Sequence, residues 1–319
     1  MLFFVLSGFV LTLSLKNKKI PYKKYLVSRF FRLYPVLFVA IIISFVTRLI
    51  IGHNSTSLFS QWYQSDFLMP IPLSISNLLG HLALTGISKE HIFLNNPIWS
   101  LVYEARMSII FPFLLLFVTM RNKPTVIFLS LALSLCSAAL LLITTGIAPK
   151  GYMESSFIAT LATTAYYVIF FIAGILLALN HERVSKIVAA LPAIIKFLLL
   201  VAAISCFIFD RRSFGITSII MDYFHMAGAV LLIVLAAYWD WLSRLLSVRP
   251  LIWLGRISYS LYLIHWVVLY AVFELLGDTL PYWQLPIIIT VISLICAELM
   301  SRFVEYPCIE LGKSLNRPS

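Results

Sequence analysis

A few polar and ionisable residues interrupt an otherwise apolar chain, and their spacing limits what they can do together. Glu104 follows Ser100 by four residues and precedes Ser108 by four. On a helix the three share one face, which turns a Ser-Glu-Ser stripe towards other protein rather than towards lipid. A carboxylate there can orient an acceptor hydroxyl or stabilise a protonated base. The plainer alternative is a structural ion pair, with Arg106 or Arg48 as partner. His265 shares a face with Ser258 and Tyr262, at i, i+4 and i+7. Imidazole titrates near neutral pH, so this ring can take a proton from a hydroxyl, or it can be hydrogen-bonded only for packing. Asp222 and His225 have the spacing of a carboxylate–imidazole pair that fixes one ring tautomer, although a polar helix end at the membrane interface is the plainer reading. Arg29 and Arg32 put two fixed cations on one helix face. Such a pair suits bidentate phosphate contacts, and it also suits anionic lipid headgroups. The preceding Lys16, Lys18, Lys19, Lys23 and Lys24 are read as headgroup anchors alone. Trp99, beside Ser100, can line an acceptor groove, whereas Trp62, Trp239, Trp241, Tyr282 and Trp283 fall near span ends as interfacial aromatics.

The elements that must position these residues follow from composition. Of 319 residues 61% are hydrophobic and 12% charged, and the mean hydropathy is +0.97. Water cannot solvate most of such a surface. A bilayer core about 30 Å thick needs roughly 20 apolar residues per helix. The sequence offers such runs at 2–15, 34–51, 98–120, 125–145, 157–179, 192–209, 217–238, 257–277 and 283–304, with a weaker segment at 73–88. Backbone groups in lipid must be satisfied within the segment, and runs without alternation argue against a barrel. The expected fold is therefore all-α: a polytopic transmembrane helical bundle of about nine full spans plus one re-entrant or interfacial segment, forming a single membrane domain over residues 1–319. The segment at 2–15 is short, but it lacks the basic leader and small-residue cleavage site of a signal peptide.

The net charge of +11 matters through its distribution. The loop carrying Lys16 to Arg32 has no acidic residue and should be cytoplasmic. Alternating the spans from there puts Arg121, Lys123, Arg183, Lys186, Arg244, Arg249, Arg256, Arg302, Lys313 and Arg317 on the same side. Only Lys89, Lys150, Arg211 and Arg212 then face outward, provided that 73–88 does not cross and instead lies within an outer region at 52–97. Dispersed basic residues without a groove-reading motif disfavour nucleic acid as a partner. Cys136, Cys206 and Cys296 fall inside apolar spans and the six His residues form no ligand-spaced cluster, so neither a disulfide nor a metal site is expected.

Five stretches, in one order along the chain, resemble the acyltransferase 3 family of integral-membrane O-acyltransferases. FFVLSGFVLTLSL at 3–15 is similar to the family's Phe-Phe-x-x-Ser-Gly-Phe helix, and YLVSRFFRLYP at 25–35 to its Arg-x-x-Arg loop. NPIWSLVYEARMSIIFP at 96–112 is similar to its Trp-Ser-Leu-x-x-Glu segment. LGRISYSLYLIHW at 254–266 and VEYPCIEL at 304–311 resemble its closing Ser-Tyr-x-Leu-Tyr-Leu-x-His helix and Glu-x-Pro. The resemblance implies a stand-alone acyltransferase in a bacterial cytoplasmic membrane, with Glu104 and His265 as catalytic residues. It further implies Arg29 and Arg32 on the phosphates of an acyl-CoA, such as acetyl-CoA, and Ser7, Trp99, Ser100 and Tyr262 in support; Asp222 and His225, outside these motifs, are added as supporting residues on their spacing alone. Its implied partners are membrane lipid and a carbohydrate or glycolipid acceptor.

The family also has a helix before the Ser-Gly-Phe segment, carrying an Arg and a His about ten residues apart, and that His is taken as the base. Reading from Met1 finds no counterpart of it. The expectation is therefore a fragment of an enzyme or a degenerate member, with weak or no activity from residues 1–319 by themselves. A transporter or flippase for a glycan or lipid intermediate is the rival from another class. It is disfavoured because no internal repeat is evident.

Overall fold

The computed structural model describes residues 1–16, 20–52, 73–85, 93–146, 148–149, 156–208 and 216–316. Lys18, Lys19, Trp62, Lys89, Lys150, Arg211, Arg212, Arg317 and most of the expected outer region 52–97 lie outside them. The regular elements described are all helical. Among the described residues, seven helices are long and apolar enough to cross a membrane, or eight if one bent pair counts as a span. The chain is an integral, multi-pass, all-α membrane protein.

Several boundaries differ from the sequence reading, each for a local reason. Helix α1, Leu2–Leu15, has 14 residues, which at 1.5 Å per residue gives about 21 Å, short of a full crossing. Helix α2, Tyr22–Ile51, begins twelve residues before the expected span, so Lys23, Lys24, Arg29 and Arg32 ride on a helix rather than in a loop. Lys and Arg are good helix formers, so their charge did not break it. Helix α3 is the short Ile75–Leu82, with Ser74 capping the Asn77 N–H. The expected span 192–209 is instead the second arm of a pair, α7 (His181–Ala190) and α8 (Ala193–Ile208), bent by 119°. Leu191 is extended, as the residue before Pro192 prefers. The last span runs through α12, Leu285–Met300, a π turn at Ser301–Glu305, and α13, Tyr306–Leu315.

Contacts divide the chain into two compact units. The first comprises Met1–Ile20, Arg106–Gly151 and Phe157–Ile252. Its best-buried helix is α6, Phe157–Leu179, which packs against α1 with backbone close to backbone. A Cβ added at Gly8 would lie 2.3 Å from the Phe171 carbonyl oxygen, and one at Gly174 would lie 2.1 Å from that of Val5. These two glycines face one another, and nothing larger fits.

The second unit comprises Pro21–Ala105, Tyr152–Ser156 and Trp253–Ser319. Its apolar core joins Val36, Leu37 and Ile41 of α2 to Ile98 and Val102 of α4 (Ile98–Met120) and to Ile257, Leu263 and Ile264 of α11 (Arg249–Leu276). A 3-10 turn at Phe93–Asn95 leads into α4 and is held from three sides. The Leu94 N–H donates to His81 Nε2 at 3.0 Å, and the His81 Nδ1–H donates to the Asn77 carbonyl at 2.7 Å. Ser44 donates to the Leu94 carbonyl, and Asn95 Nδ2 to the Leu263 carbonyl at 2.9 Å.

Candidate functional site

The clamped turn fixes where α4 starts, and the start of α4 carries the polar stripe. Ser100, Glu104 and Ser108 are all buried, as their spacing implied. The partner of Glu104 is a correction: its Oε1 lies 3.0 Å from Arg29 Nη2, and both side chains are nearly inaccessible at 5% and 12% exposure. Arg106 and Arg48, the partners expected from sequence, are held elsewhere. Arg106 Nη1 donates to the hydroxyls of Thr160 and Thr164 on α6 at 2.8 and 3.0 Å. The Arg48 guanidinium lies 4.4 Å over the Tyr270 ring. Two residues given separate roles from sequence, a carboxylate near the acceptor and a cation on the donor, are thus bonded to one another.

Helix α11 is the hub of this unit. The Tyr262 hydroxyl donates to the Pro97 carbonyl at 2.7 Å and lies 2.7 Å from Ser100 Oγ. Its single proton goes to the carbonyl, so Ser100 donates to the tyrosine oxygen. Tyr259 donates to the Leu33 carbonyl at 2.7 Å, which ties α11 to α2. Ser260, fully buried, donates to Glu305 Oε2 at 2.7 Å. Glu305 is itself buried and sits in the π turn. Pro307 cannot donate to the Phe303 carbonyl, and the turn before it widens. Arg32, exposed one turn after Arg29, is within electrostatic range of Glu305 and Tyr259. Glu305, Tyr259 and Ser260 had no role in the sequence reading, and only their place in the closing motifs hinted at one.

His265 Nδ1 lies 3.0 Å from the Leu261 carbonyl, and its ring is 6.2 Å from that of Tyr262. Donation from Nδ1 leaves Nε2 as the basic nitrogen. Ser258, expected on the same face, is exposed and donates to its own helix at the Gly255 carbonyl. Trp99 is half-buried in the first turn of α4.

Ser7, Asp222 and His225 belong to the first unit, Ser7 half-buried on α1 and the other two buried on α9, Ile216–Tyr238. Asp222 Oδ2 accepts from the Tyr166 hydroxyl at 3.1 Å, and the His225 ring stacks on Phe207 at 5.4 Å. Both residues therefore contact neighbouring elements, and the interfacial helix end expected from sequence is a buried one. Among the described residues, no group of three or more His, Cys, Asp or Glu could hold a metal ion.

The profile of the acyltransferase domain family (acyltransferase 3) matches residues 1–302, a range that holds every residue of this site except Glu305. The chain belongs to that family. A curated relative, the peptidoglycan O-acetyltransferase OatA of Listeria monocytogenes, is 25% identical over 337 residues, covering 98% of this chain and 51% of the relative. The chain spans about half the length of the curated relative that it matches. No solved structure matches it. Within this acyltransferase-family chain, Gly8 of the Ser-Gly-Phe segment makes a helix contact, and the Ser-Tyr-x-Leu-Tyr-Leu segment organises hydrogen bonds to three other segments.

Proposed function

We propose that this chain is a membrane O-acyltransferase that moves an acyl group, most simply acetyl, from cytoplasmic acyl-CoA to a hydroxyl of a cell-surface or exported carbohydrate. Family membership supports the reaction class. The observation that carries the site is the convergence of Arg29, Glu104, Ser100 and Tyr262, from three separated stretches, on one buried polar cluster.

In this reading the acceptor oxygen attacks the thioester carbonyl, the C–S bond breaks, and the acceptor proton passes through a base to the departing thiolate. Glu104 orients the acceptor or holds the protonated base, while Arg29 fixes its carboxylate. His265 offers Nε2 as a base within residues 1–319, beside a further base from the helix that the family resemblance implies. Arg32 and Arg29 together take the donor's phosphates, so that Arg29 links donor to carboxylate. Trp99 supports substrate placement. We further assign residues 1–319 to one membrane domain in a bacterial cytoplasmic membrane, with α1 and the bent pair each completing a crossing for nine in all.

Two measurements test this. Labelled acetyl-CoA should bind the purified wild type and lose at least tenfold in affinity in an Arg29→Ala, Arg32→Ala double variant, about 1.4 kcal/mol or more. Undiminished binding rejects the donor site. Acetyl transfer in membranes should be weak from residues 1–319, and should rise in a form extended upstream in frame and vanish there with Glu104→Gln. Robust transfer by the Gln variant would remove Glu104 from the chemistry.

A further inference from the structure

The proposed reaction uses His265 and leaves His81 idle, although His81 is fully buried on α3. Its ring bridges two segments of the second unit: Nδ1 lies 2.7 Å from the Asn77 carbonyl, and Nε2 receives the Leu94 N–H at 3.0 Å. A carbonyl can only accept and an amide N–H can only donate, so the ring is neutral, with its proton on Nδ1 and a bare Nε2. The two bonds differ in consequence. Asn77 is four residues before His81 on α3, so its carbonyl also takes the helical bond from the His81 backbone. The bond to Leu94, in contrast, joins α3 to the 3-10 turn that leads into α4.

That turn sits at half the height of α11. Asn95 Nδ2 donates to the Leu263 carbonyl and Pro97 accepts from Tyr262, the two central residues of that 28-residue helix. Water does not reach the middle of a membrane-crossing helix, so a turn N–H there needs a protein acceptor. Leu94 is gripped on both sides, since Ser44 of α2 donates to its carbonyl while His81 takes its N–H. Helix α3 is itself tied to α2, because the Tyr34 hydroxyl donates to the Leu82 carbonyl at 3.0 Å. A line of bonds therefore runs from α2 through Leu82, His81 and Leu94 to α4. The first two turns of α4 then present Ser100 to Tyr262 and Glu104 to Arg29.

We propose that His81 is a positioning residue of the acyl-transfer site: its bare Nε2, by holding the Leu94 N–H, sets the height of α4 at which Ser100 and Glu104 meet Tyr262 and Arg29. The role rests on the acyltransferase reading of that cluster and adds to it a residue that touches neither substrate. His81 exchanges no proton in the reaction and acts through Leu94. Its leverage is geometric, because a misplacement of about 1 Å among reacting groups can cost about a hundredfold in rate.

Two amide side chains separate the two bonds. Gln places its side-chain oxygen near the position of Nε2 and can accept the Leu94 N–H, whereas Asn places its amide near that of Nδ1 and falls short of Leu94. In membranes holding the upstream-extended form, His81→Asn should lower kcat for acetyl transfer about tenfold or more, and His81→Gln should restore it to within about threefold of wild type. Affinity for labelled acetyl-CoA should stay within about twofold in both, because Arg29 and Arg32 ride on α2. Amide hydrogen exchange over residues 93–101 should be faster in the Asn form and keep the wild-type rate in the Gln form. Should the Asn form fail to fold, His81→Leu, which fills the space without an acceptor, takes its place. Full transfer by the Asn form beside an active wild type, or exchange over 93–101 that ignores both substitutions, would overturn the role of His81 alone. Equal loss of transfer and of donor binding in the Asn and Gln forms would make His81 structural only. No transfer by the wild-type extended form would instead reject the acyltransferase reading, and the role of His81 with it.

Discussion

The Arg29–Glu104 pair sets the energetic terms at the residue scale. Removing one partner from a buried pair strands the other charge, which costs about 3–5 kcal/mol, whereas replacing both with apolar residues of similar size is often neutral. Arg29→Met or Glu104→Met alone should therefore lower thermal stability in detergent strongly, and the double variant should recover most of the loss. On the proposed role of Glu104, acetyl transfer by the upstream-extended form should not return with stability; recovery of both would make the pair structural only. A second contrast separates two serines on α11. Ser260→Ala removes the donor to buried Glu305 and should cost about 1.5–3 kcal/mol, the range for a bond to a charged group. Ser258→Ala, exposed, should stay within about 0.5 kcal/mol in the same unfolding measurement. The sequence reading chose the Ser258 face because Tyr262 and His265 lie on it. Periodicity cannot tell which face matters on a helix contacted from several sides, and Tyr259 and Ser260 bond to α2 and to the π turn from positions that the i, i+4, i+7 pattern leaves out. Glu104 was legible because Ser-Glu-Ser can face only protein in a membrane. Its partner was not, because Arg29 lies 75 residues away in sequence.

Elements in this chain are placed by where backbone can approach backbone. Gly8→Ala puts a methyl group 2.3 Å from the Phe171 carbonyl oxygen, and neither backbone can yield without separating α1 from α6. Overpacking of this kind costs about 1–3 kcal/mol and sometimes more, so this variant and Gly174→Ala should both melt earlier. Gly255→Ala supplies the control, since a Cβ there meets nothing within 4 Å. It should gain about 0.5–1 kcal/mol from helix propensity. A Gly255 variant that melts as early as Gly8→Ala would show that the α1–α6 contact is not what limits stability. The long helices themselves were readable from apolar run length, because lipid leaves the backbone no alternative to internal hydrogen bonds. Their ends were less so. Helix α2 extends back through Arg29 because hydropathy marks where lipid begins, not where the helix does. The break at Leu191 and the π turn before Pro307 follow from single prolines, whose geometric effect depends on the packing around them.

The bent pair decides the topology of the whole molecule. If α8 crosses, Arg244, Arg249, Arg256, Arg302 and Lys313 fall on the same side as Arg183, and the positive-inside bias extends along the chain. If α7 and α8 together return to the side they left, every residue from Arg244 onward changes sides and the bias is lost. Sixteen residues give α8 about 24 Å, short of a ~30 Å core but within reach of local thinning. The charge distribution favours crossing, since each Lys or Arg near the cytoplasmic surface is worth about 1 kcal/mol of attraction to its anionic lipids. Single cysteines at Arg183, Arg244, Asp278 and Lys313, in a background lacking Cys136, Cys206, Cys296 and Cys308, separate the two cases. With an impermeant maleimide on intact cells, only the Asp278→Cys form should react, and the other three should react after permeabilisation. Labelling of Arg244→Cys and Lys313→Cys but not Arg183→Cys on intact cells would make α7 and α8 re-entrant.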